Sequence, residues 1–165
     1  MPVQTARFSL RKFTSEDVDR YHQLTGNARV MQFVTGHPFT REETAEKFER
    51  ILARNAQHEH EGVYAIHDSD TGEFVGAAAL LREPSGRMEL GYRILDTHWG
   101  RGIATEVAAE LLRFGLHVLQ APAVVAYVDA ENTASVRVLE KIGMRRSATT
   151  TEGGRTEQEY LGTRD

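Results

Sequence analysis

The sequence predicts an α/β domain with a mixed, mostly antiparallel sheet flanked by helices. Three observations favour this fold class. Residues 63–95 read as three successive strands separated by turns. A long amphipathic segment then precedes a nearly continuous apolar run, residues 123–129, which is typical of a strand covered on both faces. The tail reads as a hairpin that turns at Gly153-Gly154.

The composition of the 165 residues excludes several classes of function. No cysteine is present, which excludes disulfides, thiolate metal sites and a cysteine nucleophile. The formal net charge of −4, without a long run of one sign, argues against nucleic-acid and anionic-membrane partners. No stretch reads as a signal peptide or a membrane span, so we expect a cytoplasmic location. Because no repeat or linker interrupts the chain, residues 1–165 are predicted to form a single domain.

The N-terminal third predicts one strand and two helices. Residues 7–13 alternate apolar and polar side chains, as a half-buried strand does. Thr14 and Asp17 have the spacing of a capping box and predict the start of a helix. The stretch "TREE", residues 40–43, is a second such signal. The apolar stripe of the helix behind it comprises Ala45, Phe48, Ile51 and Leu52.

The third central strand is predicted to have two different faces. One face carries Met88, Leu90, Tyr92 and Ile94, and the other carries Glu89, Gly91, Arg93 and Leu95. The long helix that follows is predicted to turn five apolar residues toward the core: Ile103, Val107, Leu111, Phe114 and Val118. A short helix is predicted after Asn132 or Thr133, ending at Gly143.

The loop between the third strand and the long helix contains Gly100, Arg101 and Gly102. The first N–H groups of a helix lack internal partners, and the helix dipole adds partial positive charge there. Glycines would let a phosphate reach these donors, and Arg101 could pair with it. A tight strand-to-helix reversal explains the glycines equally well. The patterns of a P-loop and of a dinucleotide-binding loop are both absent.

Two longer stretches, "ELGYRILDTHWGRGIATEVAAELL" and "AYVDAENTASVRVLEKIGMRR", resemble the GNAT superfamily of acetyl-CoA-dependent N-acetyltransferases. Within it they resemble the Rim-type ribosomal-protein N-terminal acetyltransferases. The resemblance covers almost the whole chain. It implies a sheet that splays apart at the loop, with acetyl-CoA as co-substrate and no metal. In the family pattern Gln/Arg-x-x-Gly-x-Gly/Ala, Gly102 and Ala104 match, whereas Trp99 takes the first place.

The resemblance also implies how the cofactor is held. It assigns the diphosphate to backbone N–H groups at the start of the long helix: Arg101, Gly102, Ile103, Ala104 and Thr105. It assigns backbone contacts with the pantetheine arm to Ile94 and Leu95, as an added strand edge. Asn132 is expected to bond the pantetheine amides, with a helix N-cap as the alternative. Gly91 is expected to mark a bulge that starts the splay, with close packing as the alternative.

Acetyl transfer to an amine needs a base, a polarised carbonyl and protonation of the leaving thiolate. The resemblance points to Glu89 as the base, directly or through a water, and a solvated carboxylate is the alternative. The tyrosine acid that many relatives carry is replaced by Leu139. Ser135 is then the candidate near the sulfur. Without a cysteine, direct attack by the amine is expected.

The predicted acceptor is a primary amine, and a protein or peptide N-terminal α-amine is favoured. An α-amine, with a pKa of roughly 7.7–8.0, is neutral at pH 7 far more often than a lysine at roughly 10.4. Residues 40–70 carry a net charge of −4 and are expected to border the acceptor groove. The alternatives are a small amine (an amino-sugar, a polyamine or an amino acid) and a coenzyme A-binding module without efficient turnover. A ribosomal protein as acceptor and a homodimer are also envisaged.

Four other side chains are given structural interpretations. His58 and His60 lack a third ligand at metal-site spacing and are predicted to lie in a solvated segment. His98 is expected to be exposed in the loop, and Trp99, the only tryptophan, to pack beneath it. Tyr160 is expected to face either the core or the acceptor groove.

Overall fold

Eight strands form one open sheet in the computed structural model, which describes residues 3–164. The strands are β1 (Val3–Gln4), β2 (Phe8–Lys12), β3 (Gly62–Asp68), β4 (Phe74–Arg82), β5 (Met88–Ile94), β6 (Val124–Asp129), β7 (Arg145–Glu152) and β8 (Arg155–Gly162). Their spatial order is β1-β2-β3-β4-β5-β6-β8-β7. All neighbours are antiparallel except β5 and β6, which are parallel. The predicted fold class is confirmed.

Within the described residues, five α-helices cover this sheet, with the bounds α1 (Val18–Thr25), α2 (Ala28–Met31), α3 (Arg41–Gln57), α4 (Ile103–Arg113) and α5 (Thr133–Lys141). Both predicted capping boxes are present: the first precedes a short 3-10 turn at the start of α1, and the second begins α3. The buried stripe of α3 includes Phe48 and Ile51, but Ala45 is exposed and Thr44 is buried in its place. The Thr44 hydroxyl lies 2.6 Å from that of Thr25, so a hydrogen bond satisfies its polar group inside the protein.

The long helix departs from the prediction at its end. Ile103, Val107 and Leu111 are buried as expected, but α4 continues into a π-helical turn over Phe114–Val118. This wider turn contains a hydrogen bond of 2.9 Å from the Leu119 N–H to the Phe114 carbonyl. The prediction for Val118 is wrong, since its side chain is 49% exposed. A stripe drawn with the α-helical period does not continue through a π turn.

The sheet separates two hydrophobic cores. The first lies under α4 and α5 and includes Met88, Leu90 and Ile94 of β5. The second lies under α1 and α3, and Leu95 packs against it. The two predicted faces of β5 are therefore confirmed. Tyr160 is 2% exposed and belongs to the first core, so it faces the core and not the acceptor groove.

The sheet splays between β5 and β6. Only two residue pairs join these strands, Met88 with Val124 and Glu89 with Val125. The predicted bulge at Gly91 is absent, because Gly91 pairs with Ala79 in an unbroken register with β4. The gap arises because β6 leaves the edge of β5 after Glu89. No helix within residues 3–164 has the length and apolarity needed to cross a membrane.

Candidate active site

Two clefts meet at the splay. The loop cleft, about 440 Å³, is lined by the loop after β5, by the first turn of α4 and by α5. The hairpin cleft, about 490 Å³, is lined by the other face of β5, by β6 and by the β7–β8 hairpin. Tyr92 and Ser135 line both clefts, as do Arg93 and Asn132. A group bound in one cleft can therefore reach a group bound in the other at this junction.

The loop cleft contains four of the five residues predicted to bind the diphosphate: Gly102, Ile103, Ala104 and Thr105. Gly102 is the N-cap of α4 with φ +74°, and no side chain caps the helix. The first N–H groups of α4 therefore remain available to an anion. Arg101 is not brought into this lining. Its guanidinium donates to the Thr97 carbonyl at 3.4 Å.

The backbone of β5 determines which residues can pair with a ligand in the gap. The Leu95 N–H donates to the carbonyl of Val75 in β4, at 2.9 Å, and the Leu95 carbonyl accepts from the His98 N–H. The prediction for Leu95 is corrected accordingly. Because antiparallel hydrogen bonding alternates, Tyr92 and Ile94 turn their backbone groups to the opposite edge, the gap. The Met88 N–H follows this alternation, since it also points away from β4 and donates to the Ala123 carbonyl at 3.1 Å.

The environments of two loop residues are the reverse of those predicted. His98 is 8% exposed and its Nε2 lies 3.3 Å from Glu73. Trp99 is 46% exposed, lines the loop cleft and has the Arg29 guanidinium 5.0 Å from its ring centroid. A 3-10 turn over Asp96–His98 points the histidine inward and leaves the indole at the surface. The indole N–H donates to the Ile94 carbonyl at 2.8 Å, which fixes the ring at the end of the gap.

Tyr92 and Ser135 form a hydrogen-bonded pair where the clefts meet, with 2.8 Å between their hydroxyl oxygens. Burial raises the pKa of Tyr92 to about 12, so the phenol stays protonated at neutral pH. Asn132 is the N-cap of α5, since its side-chain oxygen accepts from the Ser135 N–H at 3.2 Å. That cap uses only the oxygen and leaves the amide nitrogen free of partners within residues 3–164. The structure thus supports the N-cap alternative without excluding a ligand contact.

The hairpin cleft is acidic. Glu89 lines it together with three other carboxylates, Asp129, Glu152 and Glu157. Burial and the charges of Glu83 and Glu157 raise the pKa of Glu89, against the opposing effect of Arg54 and Lys47. No residue of the described chain donates a hydrogen bond to its carboxylate. Residues 40–70 do not contribute to the lining of either cleft, although Lys47 and Arg54 of α3 lie near enough to Glu89 to lower its pKa. That this segment borders the acceptor groove stays a prediction.

Sequence reasoning missed the part that Tyr92 plays in the site. The alternation along β5 placed it correctly on the face of the first core, against which it packs. Its ring also covers the place where β6 has left the sheet. A large side chain with a polar tip on an otherwise apolar face was the available signal.

The comparisons with known proteins agree with this geometry. The family model described as "Acetyltransferase (GNAT) domain" matches residues 7–145. The uncharacterized N-acetyltransferase p20 of Bacillus licheniformis is 27% identical over 146 residues, 87% of this chain and 82% of that protein. Spermidine N(1)-acetyltransferase of Escherichia coli K12 is 26% identical over 136 residues, 81% of this chain and 70% of that protein.

Among solved structures, a GNAT-family acetyltransferase from Bacillus anthracis superposes with a TM-score of 0.84. It is 25% identical, and the match covers 99% of this chain and 98% of that one. The uncapped start of α4 and the open edge of β5 provide N–H donors for a diphosphate and a strand edge for an extended amide arm. Both features fit coenzyme A. The chain therefore belongs to the GNAT acetyltransferases, and it is an acetyl-CoA-dependent N-acetyltransferase.

Proposed function

We propose that this enzyme acetylates the α-amino group at the N-terminus of a protein or peptide. The observation that carries the proposal is the carboxylate of Glu89, which faces the hairpin cleft without a hydrogen-bond partner among the described residues. A carboxyl group with a raised pKa is a stronger base when ionised, and an α-amine is the easier primary amine to deprotonate. The Rim-type resemblance supports a ribosomal-protein N-terminus as the partner. A cytoplasmic location and a homodimer remain predictions.

The two clefts divide the substrates between them. In the loop cleft, backbone N–H groups of residues 102–105 bind the diphosphate, and Tyr92 and Ile94 offer their backbone edge to the pantetheine arm. Asn132 supplies its amide nitrogen to the same arm. In the hairpin cleft, Glu89 accepts the proton of the acceptor ammonium, directly or through a water. Arg101 is assigned at most a charge near the diphosphate, because its guanidinium already bonds Thr97.

The Tyr92–Ser135 pair acts where the leaving sulfur is expected. The neutral amine attacks the thioester carbonyl, and the C–S bond breaks as the amide forms. Ser135 donates its hydroxyl proton to the thiolate and recovers a proton from Tyr92 across their hydrogen bond of 2.8 Å. The nitrogen loses its second proton to solvent as the amide forms. Glu89 releases its proton to solvent and Tyr92 takes one back from it, which completes the cycle. This route needs no tyrosine at position 139, where the chain has a buried leucine.

Replacing Ser135 with alanine is expected to lower kcat at least about tenfold at every pH, because general-acid assistance is lost. Tyr92→Phe should lower it less, since the serine hydroxyl remains. Initial rates between pH 6 and 9.5 measure both effects. Ser147→Ala is the control, because the Ser147 hydroxyl is exposed, bonds Glu159 and lines neither cleft. A Ser135→Ala rate equal to that of the control would remove the pair from the mechanism.

A small cationic amine is the second candidate acceptor. Asp129, Glu152 and Glu157 would attract a polyamine to the hairpin cleft, and one relative is named a spermidine acetyltransferase. Of the three carboxylates, Asp129 is already paired with Arg155 at 3.0 Å. Only Glu152 and Glu157 of these three are then left to attract a polyamine, so the cleft is less negative than its three carboxylates would make it.

Initial rates of thiol release from acetyl-CoA distinguish the acceptors. The substrates are short peptides with free or acetyl-blocked N-termini, each with and without an internal lysine, beside a panel of amino-sugars and polyamines. We expect turnover of both free peptides, with or without lysine, and none of the blocked peptides. Turnover of polyamines alone would replace the proposal with the second candidate. Absence of thiol release from every acceptor, with coenzyme A still bound, would favour a binding module.

A further inference from the structure

The face of β5 toward the hairpin cleft bears three successive outward residues, Glu89, Gly91 and Arg93. A Cβ added to Gly91 would meet only the Ala79 Cβ, at 3.9 Å, which is ordinary contact. Neither packing nor an unusual backbone conformation therefore requires glycine here. The missing side chain instead leaves open space in the cleft between the carboxylate of Glu89 and the guanidinium of Arg93.

Arg93 is a cation without a counterion in the described chain. Its guanidinium lies 4.0 Å from the Met31 sulfur and also acts on the Tyr21 hydroxyl, a neutral group, whereas no carboxylate oxygen of residues 3–164 lies within 4.0 Å. Lys47 of α3 lies on the same side, and it too forms no ion pair in that part of the chain. Burial, Arg93 and Arg50 lower the pKa of Lys47, whereas the charge of Glu89 raises it. Two neighbouring, partly buried cations favour an anion between them.

We propose that Arg93, supported by Lys47, binds a carboxylate carried by the acceptor a few bonds from its amine. This rests on the proposed function and narrows it to N-termini with an acidic residue at the first or second position. Outward residues four apart on a strand are separated by roughly 13 Å at their Cα atoms. The space that Gly91 leaves in the cleft lining between these two residues can hold the carbon chain that joins an amine to a carboxylate. A polyamine carries no anion and would place further positive charge against Arg93.

The test measures kcat/KM of the wild-type and Arg93→Gln enzymes on two pairs of acceptors, in which one member carries a carboxylate and the other the corresponding amide. The peptide pair is Ala-Glu-Ala-amide and Ala-Gln-Ala-amide, and the small-amine pair is β-alanine and β-alaninamide. In the wild-type enzyme the carboxylate member of a turned-over pair should have a kcat/KM about tenfold or more higher, mainly through KM. Arg93→Gln should abolish this preference, so that kcat/KM becomes equal for the carboxylate and amide members of a pair.

Arg41→Gln is the matched control, because Arg41 lies on the same helix as Lys47, pairs with Asp19 at 2.9 Å and lines neither cleft. It should keep the wild-type preference. Coenzyme A affinity and the melting temperature verify that each variant is folded. Equal kcat/KM within every turned-over pair, a preference that persists in Arg93→Gln, or no turnover of any carboxylate-bearing acceptor would overturn the subsite. Turnover of the small-amine pair alone would refute the N-terminal acceptor. Comparing kcat/KM for β-alanine and β-alaninamide in the wild-type and Arg93→Gln enzymes would then still test whether Arg93 binds the carboxylate.

Discussion

Replacing Glu89 with glutamine is expected to lower kcat/KM for an amine about 100- to 10,000-fold near pH 6.5, the usual contribution of a positioned base. Glutamine keeps the size and shape of the side chain but cannot accept a proton. The loss should shrink as the pH rises past the acceptor pKa, roughly 7.7–8.0 for an α-amine, because the amine is then already neutral. Initial rates across this range with a free-N-terminus peptide measure the effect.

The same substitution is expected to stabilise the fold at neutral pH. The pKa of Glu89 is raised in the folded protein above its ordinary value of 4.5, chiefly by burial. Between those two values the folded state binds more protons than the unfolded state, so stability falls as pH rises through this window. Above the window the ionised carboxylate destabilises the fold, and Glu89→Gln removes that cost. Below about pH 4.5 the advantage should vanish, as urea unfolding at pH 4 and pH 7 can measure.

Glu157→Gln is the informative companion variant, since the charge of Glu157 contributes to the raised pKa of Glu89. It should move the acidic limb of the rate profile to lower pH. A Glu89→Gln enzyme with the wild-type profile, or with lower stability at pH 7 than the wild type, would contradict the assignment.

Replacing Gly102 with valine is expected to weaken coenzyme A binding about 10- to 100-fold, the effect of losing a hydrogen bond to a charged group. Valine would project from the N-cap of α4, where the uncapped N–H groups face the loop cleft. The added Cβ has only the Arg7 guanidinium nearby, at 3.6 Å, so no collision within the protein accompanies it. Calorimetry measures the affinity, and the fluorescence of Trp99, the only tryptophan and a residue of this cleft, is a second readout.

Backbone strain needs a separate control, because Gly102 has φ +74° and an L side chain is disfavoured there by about 1–2 kcal/mol. Gly86→Val provides it. Gly86 has φ +91°, has nothing within 4 Å of an added Cβ, and lines neither cleft. Its melting temperature should fall by a similar amount while coenzyme A binds with wild-type affinity. Wild-type affinity in folded Gly102→Val would show that the diphosphate binds elsewhere.

Short-range physics made much of this structure predictable. Capping boxes and alternating strands involve neighbours in sequence, so Thr14, Thr40 and the two faces of β5 were placed correctly. The misassigned residues depend on partners far along the chain. The hydrogen-bond direction at Leu95 follows from its register with β4, and tertiary packing sets which side chains line the clefts.

In the candidate site, too, residues set by local sequence were predictable and residues set by distant partners were not. Gly102 and Ala104 belong to a local motif and line the loop cleft, whereas Glu89, which only the family resemblance singles out, lines the hairpin cleft. Their roles in binding and catalysis stay predictions. Tyr92 was assigned only to the core, since no pattern within β5 records where β6 leaves it. His98 and Trp99 were exchanged because one 3-10 turn decides which of two adjacent side chains points inward.

The narrow junction of the sheet also has a mechanical consequence. Five strands lie on one side of the splay and three on the other, and within residues 3–164 the two parts are joined by strand pairing only at Met88 and Glu89. A ligand that pairs with the free edge of β5 therefore adds hydrogen bonds where the two parts of the sheet diverge. Ligand binding to the native state alone raises stability by mass action. Coenzyme A should accordingly slow amide hydrogen exchange on both sides of the junction, in β5 and in β6, with a smaller effect at the remote β1–β2 edge.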